Sequence, residues 1–539
     1  MAACLMPENS YVIFILKGSG NLGKRVLLLA DMNSRWTFQY LKKAYANHLE
    51  ITVIDYASQK LPFGEAYYDF CDKNGIAVIS IYNDGGYSRC LKYAAIINQM
   101  QEFDLCHIMF VSGWVSLLVS MCEHKFHKII VNFWGSDFYR TTKKVESEQK
   151  YVLDIADIII VPVEDMKEKF IRKYPKLRDK IYTVYFESPT LKMLEDDTYL
   201  GDANMGIQLP DNKAVIAVGY NGYVQQQHEI FIKALNSCCE AIRSEVFVVF
   251  LMTYGLSKEY EEYINGLLQD AKFQYAFIRN YMTNEQIVYL RRRIDVFVNA
   301  ITTDAFNAAI QESMLCQSVI LIGNWLSYQD LENEKAYINK FGDETDLAEK
   351  LGDVIKNLSA YKRNSEKNRD ILKKIRKKRC NVEGWIDVYD SPCQDRHVKG
   401  NKDDVWKYVL EQERKQSQRK NLYYEITQNW LKKKLNKIAP VKEYISHEKY
   451  TNIVIYGAGT LGELVYDEIK SLNIVINVCD KDVTNVNWID KEIMKVSDLR
   501  KFPCDCVIVT PVHVYDAIAK SLLEIEAGRV ISLEEILNE

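Results

Sequence analysis

For most of its length the chain alternates short apolar runs with segments of helical period, and few folds accept that alternation. Arg25-Val-Leu-Leu-Leu-Ala30 reads as a buried parallel strand, and residues 36–47 as the helix that follows it. Further strands are expected at 51–55, 76–80, 105–110, 128–132 and 158–161, with helices between them. A turn-rich stretch at 195–213 interrupts the pattern. A second series then follows at 214–218, 246–250, 274–278, 296–299 and 319–322, with a helix over 305–315 between the last two strands. Repeated strand–helix–strand units build parallel sheets covered on both faces. The fold class is therefore α/β, with two Rossmann-like lobes in succession. More than one class of protein is built from two such lobes in succession, so the pattern alone does not decide the function.

A third strand–turn–helix begins at Thr451, so the 539 residues divide into several cores, as their number requires. The expected divisions are an N-terminal extension (1–24), a first lobe (25–195), a second lobe (214–358), a charged helical segment (359–445) and a small Rossmann-like domain (446–539). A net charge of −4 gives no reason to expect nucleic acid as a partner. The cysteines do not space as a zinc or redox site: Cys238 and Cys239 are adjacent, and Cys504 and Cys506 are one residue apart. They read as reduced thiols. No apolar stretch reaches the roughly 18–20 residues that span a bilayer. The apolar run 11–16 has no basic segment before it, so a cytoplasmic location is expected. The basic runs 373–379 and 432–434 suit a solvated helix face or, alternatively, an anionic membrane surface.

Three clusters carry chemistry. Gly135, Ser136, Asp137 and Arg140 follow the strand that ends at Asn132, at the sheet edge where open α/β folds bind ligands. A plain strand-to-helix turn capped by Ser136 or Asp137 is the competing explanation. Gly219 and Gly222 flank Asn221 after the first strand of the second lobe, with Gln227 and His228 close behind. A glycine-rich turn opening a helix offers free N–H groups and a favourable dipole to phosphate. The third cluster is Asp304 and Asn307, then Gln311 and Glu312, on and before a helix between two buried strands. A carboxylate inside such a helix needs a partner, which sugar or ribose hydroxyls could supply; capping is the alternative for Asp304.

On these segments, together with Val26–Ser34 and Met252–Gly255, residues 25 to about 385 resemble the GT-B bacterial polysaccharide glycosyltransferases. These are family 4-like enzymes that include relatives of the 4-acetamido-4,6-dideoxygalactose transferases. The resemblance implies that Glu312 binds the donor, with Asp304 near the sugar. It also implies that Gly219, Asn221, Gly222, Gln227, His228, Tyr254, Asn307 and Gln311 line the donor side. Gly135, Ser136 and Arg140 would face the acceptor. No Gly-Arg…Lys pair follows the Gly219 strand, and Ile320 stands where a second glutamate is expected. Phosphate neutralisation then falls to Arg279 or one of Arg291 to Arg293. The implied catalytic set is Glu312, Asp304 and Asp137, with Asp137 or Asp31 as the base if the reaction inverts. No metal or cofactor is expected, because this architecture stabilises the leaving diphosphate with helix N-termini and cations. Glu312→Ala is expected to remove turnover and leave the fold intact.

Two glycine motifs differ in context. Gly18-Ser-Gly-Asn-Leu-Gly23 precedes a strand where a dinucleotide fingerprint needs a helix, so it is expected to bind nothing. Gly457-Ala-Gly459-Thr-Leu-Gly462 follows a strand and opens a helix, and Asp480 lies 21 residues beyond Gly459. This resembles the short domains, attached to sugar-modifying enzymes, that take a nucleotide or dinucleotide; a structural or oligomerising role is the alternative. The functional reading is transfer of a sugar from a nucleotide-sugar to a glycan or lipid-linked acceptor at the inner face of a bacterial membrane. The competing readings are a non-catalytic nucleotide-sugar-binding protein and an NAD-dependent sugar-modifying enzyme centred on the last domain.

Overall fold

The structure, a computed structural model, describes residues 23–61, 64–184, 188–199, 201–377, 382–391, 402–481, 493–525 and 527–538. The N-terminal extension and its glycine motif lie outside the described residues, apart from Gly23 and Lys24. The chain forms two compact units, Met1–Val409 and Leu410–Glu539.

The first unit holds two sheets. Strands β1 (Arg25–Ala30), β2 (Glu50–Asp55), β3 (Ala77–Ser80), β4 (Phe103–Ile108), β5 (Phe126–Asn132), β6 (Ile158–Val161) and β7 (Ile181–Thr183) pair in the order β3-β2-β1-β4-β5-β6-β7. Strands β8 (Ala214–Val218), β9 (Val246–Leu251), β10 (Gln274–Ile278), β11 (Val296–Asn299), β12 (Val319–Gly323) and β13 (Asn339–Phe341) pair in the order β10-β9-β8-β11-β12-β13. Every pairing in both sheets is parallel. Central strands covered by helices on both faces must be apolar throughout, and Val26 to Ala30, Ile158 to Val161 and Val296 to Val298 are at most 1% exposed.

Each sheet has one place where the winding reverses, between β1 and β4 and between β8 and β11. Ligands of open α/β sheets bind outside the strand C-termini at such points. The helix after β11 is shorter than its apolar run: it spans Ala308–Leu315, and Asn307 caps it by accepting from the Ile310 N–H at 3.0 Å. Residues 304–307 instead form a turn in which Phe306 takes a φ of 61°.

After the second sheet the chain returns to the first. Trp385, 1% exposed, lies among Tyr40, His107 and Trp134. Tyr389 OH hydrogen-bonds His107 Nδ1 at 2.8 Å, and Lys128 Nζ donates to the Tyr389 carbonyl at 2.7 Å.

In the second unit, β14 (Asn452–Tyr456), β15 (Val475–Asp480), β16 (Ile493–Lys495), β17 (Cys506–Val509) and β18 (Arg529–Ser532) form a parallel sheet ordered β16-β15-β14-β17-β18. The helix Thr460–Ile469 follows the Gly457 turn. Tyr423, Ile426 and Trp430, from the helix Lys402–Leu435, pack in this unit's core.

Candidate active site

The C-terminal edges of the first two sheets border a cleft of about 840 Å³. From the first sheet come Asp31, Arg35 and Trp36 after β1, and Trp134, Gly135, Ser136, Tyr139 and Arg140 after β5. From the second come Tyr220, Asn221 and Tyr223 after β8, Tyr254 after β9, and Thr303, Asp304, Asn307 and Glu312 after β11. The winding reversals of both sheets thus open on one space.

Several contacts cross that space. Gly135, at φ 121°, sits so close to the second lobe that a Cβ on it would stand 2.8 Å from the Ala305 Cβ. Arg140 Nη1 reaches the Thr303 carbonyl and Oγ1, each at 3.3 Å. The Arg35 guanidinium lies over the Tyr281 ring, 5.6 Å from its centre.

Glu312 is the most deeply set carboxylate facing the cleft, at 5% exposure. Its Oε1 accepts from Thr190 Oγ1 at 2.5 Å and its Oε2 from Arg291 Nε at 2.9 Å. Arg291 is itself 4% exposed, and its Nη1 has no hydrogen-bond partner among the described residues. Each carboxylate oxygen carries two lone pairs, so one donor apiece leaves Glu312 able to accept from a hydroxyl. Of the four arginines considered from sequence, Arg291 alone borders the cleft. Arg279 is paired with Glu261, Arg292 with Asp197 and Arg293 with Asp211.

Asp304 lines the cleft through a fixed loop: its Oδ2 accepts from Tyr328 OH at 2.6 Å and from the Asn307 N–H and Nδ2 at 3.1 and 2.8 Å. Burial raises its carboxyl pKa above the ordinary value. The helix cap is Asn307, not Asp304.

Asp137 does not face the cleft. Its Oδ1 accepts from the Trp134 and Gly135 N–H groups at 2.9 Å each, and its Oδ2 from the Val111 N–H at 3.1 Å. It therefore fixes the turn that carries Gly135, and a role as base is corrected on that ground. Burial pushes its carboxyl up to about 6 against the opposite pull of those donors. Asp31 borders the cleft with its Oδ1 on the Asn33 N–H at 2.8 Å, and burial, aided by the charge of Asp55, raises its pKa.

On the side of the second sheet, Asn221 and Tyr254 line the cleft and touch, Nδ2 to OH, at 3.3 Å. Tyr223 and Tyr281 stand beside Tyr254 with ring centres 6.0 and 6.2 Å away. Gly219, Gly222, Gln227, His228 and Gln311 do not border the cleft. Gly219 has φ 64°, and Gly222 packs where a Cβ would lie 2.6 Å from the Leu256 Cβ. Gln227, at φ 52°, starts the helix without a side-chain cap. His228 is fully buried with Nδ1 on Tyr260 OH at 3.2 Å, and burial lowers its pKa to about 3. Gln311 donates to the Phe306 carbonyl at 2.8 Å.

In the second unit, Gly457 has φ 101°, and its Cα faces Pro511 so closely that a Cβ would come within 2.6 Å of the Pro511 Cδ. Gly459 precedes the first residue of the helix, with open space where a Cβ would be, and Gly462 is buried in its first turn. Asp480 Oδ2 accepts from the Ala458 N–H at 2.7 Å, binding the end of β15 to the glycine turn. Among the described residues no group of three or more His, Cys, Asp or Glu side chains could hold a metal ion, and no helix is long and apolar enough to cross a membrane.

Arg35, Thr190 and Tyr281 were not anticipated. Arg35 is the first residue of the helix after β1, next to its Ser34 cap, one residue before the start expected for that helix. Thr190 lies just past the last strand of the first sheet, where no periodicity marks it.

A glycosyl transferase 4-like family model matches residues 25–161, and a C2185-like N-terminal model matches residues 449–531. No curated protein matches the chain. Among solved structures, a glycosyltransferase from Rickettsia africae is similar with a TM-score of 0.52 at 14% identity, over 68% of this chain and 98% of that one. HepE of Anabaena, in complex with UDP and glucose, gives a TM-score of 0.50 at 13% identity, over 67% and 96%. The N-terminal domain of Candida albicans trehalose-6-phosphate phosphatase gives 0.51 at 14%, over 72% and 100%. With its two facing parallel sheets, the first unit has the GT-B fold, and the family match within it, to a glycosyl transferase 4-like model, is confined to residues 25–161.

Proposed function

We propose that the chain transfers a sugar from a nucleotide-sugar to a glycan or lipid-linked acceptor in bacterial surface polysaccharide synthesis, without a metal. The observation that carries this reading is the cleft itself: carboxylates Asp31, Asp304 and Glu312 and cations Arg35, Arg140 and Arg291 share one space between two strand-end edges. Its volume, about 840 Å³, lies in the range of small-molecule sites. That HepE was crystallised with UDP and glucose supports a nucleotide-sugar as the occupant.

In this mechanism Glu312 and Asp304 accept hydrogen bonds from donor hydroxyls, and the Tyr254–Asn221 wall meets the nucleoside. Arg291 and Arg140 stabilise charge that develops on the departing diphosphate, an effect that is large where water is excluded. Gly135 and Ser136 form the acceptor side. Asp31 takes the acceptor proton: a raised pKa brings a carboxylate nearer to the range in which it works as a base at neutral pH. The test is a panel of nucleotide-sugars, with released nucleoside diphosphate as the readout. Tight donor binding without release in the presence of any glycan or lipid-linked acceptor would favour a binding protein instead.

For the second unit we propose a nucleotide or nucleotide-sugar at the Gly457–Gly462 turn, where a helix N-terminus and the β15 carboxylate Asp480 adjoin. Calorimetric titration of the intact protein with NAD and with nucleoside diphosphates checks it; a nicotinamide absorbance change during turnover would point to the redox reading.

A further inference from the structure

The second unit carries a helix stripe that its own core leaves uncovered. On the helix Lys402–Leu435, Ile426 and Trp430 turn inward, at 4% and 3% exposure. On the outer side, at the helical spacing i, i+7, i+11, stand Tyr424, Leu431 and Leu435, exposed by 66, 50 and 75%. Ile438, 38% exposed, extends the stripe past the helix end, where Lys437 turns left-handed at φ 62°.

From Leu431 onward the charge beside the stripe is basic, while Glu425 is the acidic neighbour of Tyr424. Residues 426–442 contain Lys432, Lys433, Lys434, Lys437 and Lys442 and no acidic residue. Lys434 is paired with the buried Glu468 at 3.5 Å. Lys432 and Lys437 are exposed on either side of Leu435. Exposed leucines cost free energy in water, and lysines flanking them on a helix fit an interface that is apolar at one depth and anionic at the next. A protein partner with a matching acidic rim would meet the charge, but the long lysine stems beside the apolar residues suit acyl chains below a layer of phosphates.

We propose that Tyr424, Leu431, Leu435 and Ile438, with Lys432 and Lys437, form a docking surface for an anionic lipid bilayer. The surface holds the protein at the membrane without spanning it. The inference takes its purpose from the lipid-linked acceptor proposed above, but its test needs neither donor nor turnover, so the two readings fail separately.

The intact protein is sedimented with phosphatidylcholine vesicles, with and without phosphatidylglycerol, beside the variants Leu431→Ser/Leu435→Ser and Lys432→Glu/Lys437→Glu. Binding is expected only to the anionic vesicles, weakening with added salt, and each variant is expected to lower it by roughly tenfold or more. All the substituted side chains are exposed, and thermal unfolding checks that the variants remain folded. Absence of vesicle binding, equal binding to neutral vesicles, or full binding by both folded variants overturns the proposal. So does a dimer in sedimentation velocity that Leu431→Ser/Leu435→Ser dissociates while vesicle binding persists, because the stripe would then cover a second copy of the chain.

Discussion

Gly135 and Ala305 meet across the cleft so closely that one added methyl group on the glycine would stand 2.8 Å from the alanine Cβ. Neither residue can yield: Gly135 sits at φ 121° in a turn pinned by Asp137, and Ala305 is 8% exposed. Gly135→Ala is therefore expected to cost roughly 1–3 kcal/mol from strain and overpacking. It is also expected to reduce kcat/KM by displacing the acceptor wall. Thermal unfolding and steady-state transfer, measured on the same sample, check both effects.

Glu312 and Arg291 form a buried pair, which changes the expectation that Glu312→Ala would leave the fold intact. Removing one partner of a buried pair leaves an uncompensated charge and typically costs about 3–5 kcal/mol. Glu312→Ala should thus lower both turnover and Tm. Glu312→Ala/Arg291→Met should recover much of the stability and none of the transfer. A double variant no more stable than Glu312→Ala would count against the pair as described.

Asp31 and Asp137 separate by what each carboxylate touches. Asp31→Asn keeps an oxygen for the Asn33 N–H and is expected to lower kcat by about 10²–10⁴, as loss of a general base does, with Tm little changed. Asp137→Ala abandons three backbone N–H groups in the interior and is expected to show mainly as a lower Tm. Comparing kcat and Tm for the two variants decides the assignment.

His107 and His228 are both buried and both held near pKa 3, below the ordinary 6.5, because burial disfavours the charged ring. In the unfolded chain each takes up a proton as pH falls below about 6.5, while in the folded chain each stays neutral until about 3. Their contribution to stability is whole above that window and is lost as pH falls through it, by at most about 1.4 kcal/mol per pH unit for each ring. Raised carboxyls such as Asp137 act in the opposite sense between their unfolded and folded values. A variant therefore isolates the effect: the Tm of His228→Gln should fall less steeply with acid than that of the parent protein. Parallel curves would remove the histidine from the account.

The strands were legible from sequence because a parallel sheet buried on both faces needs uninterrupted apolar runs. β1, β6, β8, β10 and β11 fall on the residues expected of them. β7, β13 and β16 were not anticipated: each is three residues long, too short for a run to stand out. The expected helix over 305–315 starts late, at Ala308, because the polar turn Asp304–Asn307 fixes itself through Tyr328, a residue distant in sequence. Glu312 and Asp304 could be picked out because charge inside an apolar pattern is conspicuous. The orientation of Asp137 could not, because it depends on where the backbone of Val111 passes. Thr190 reaches Glu312 through a lobe-to-lobe approach that no local spacing encodes.

The return of residues 382–391 to the first sheet joins the two halves of the first unit by covalent chain twice, once after β7 and once after β13. Trp385, packed against Trp134, ties the second of these crossings to the turn that carries Gly135, so a change at Trp385 reaches the cleft through a side chain remote from it in sequence.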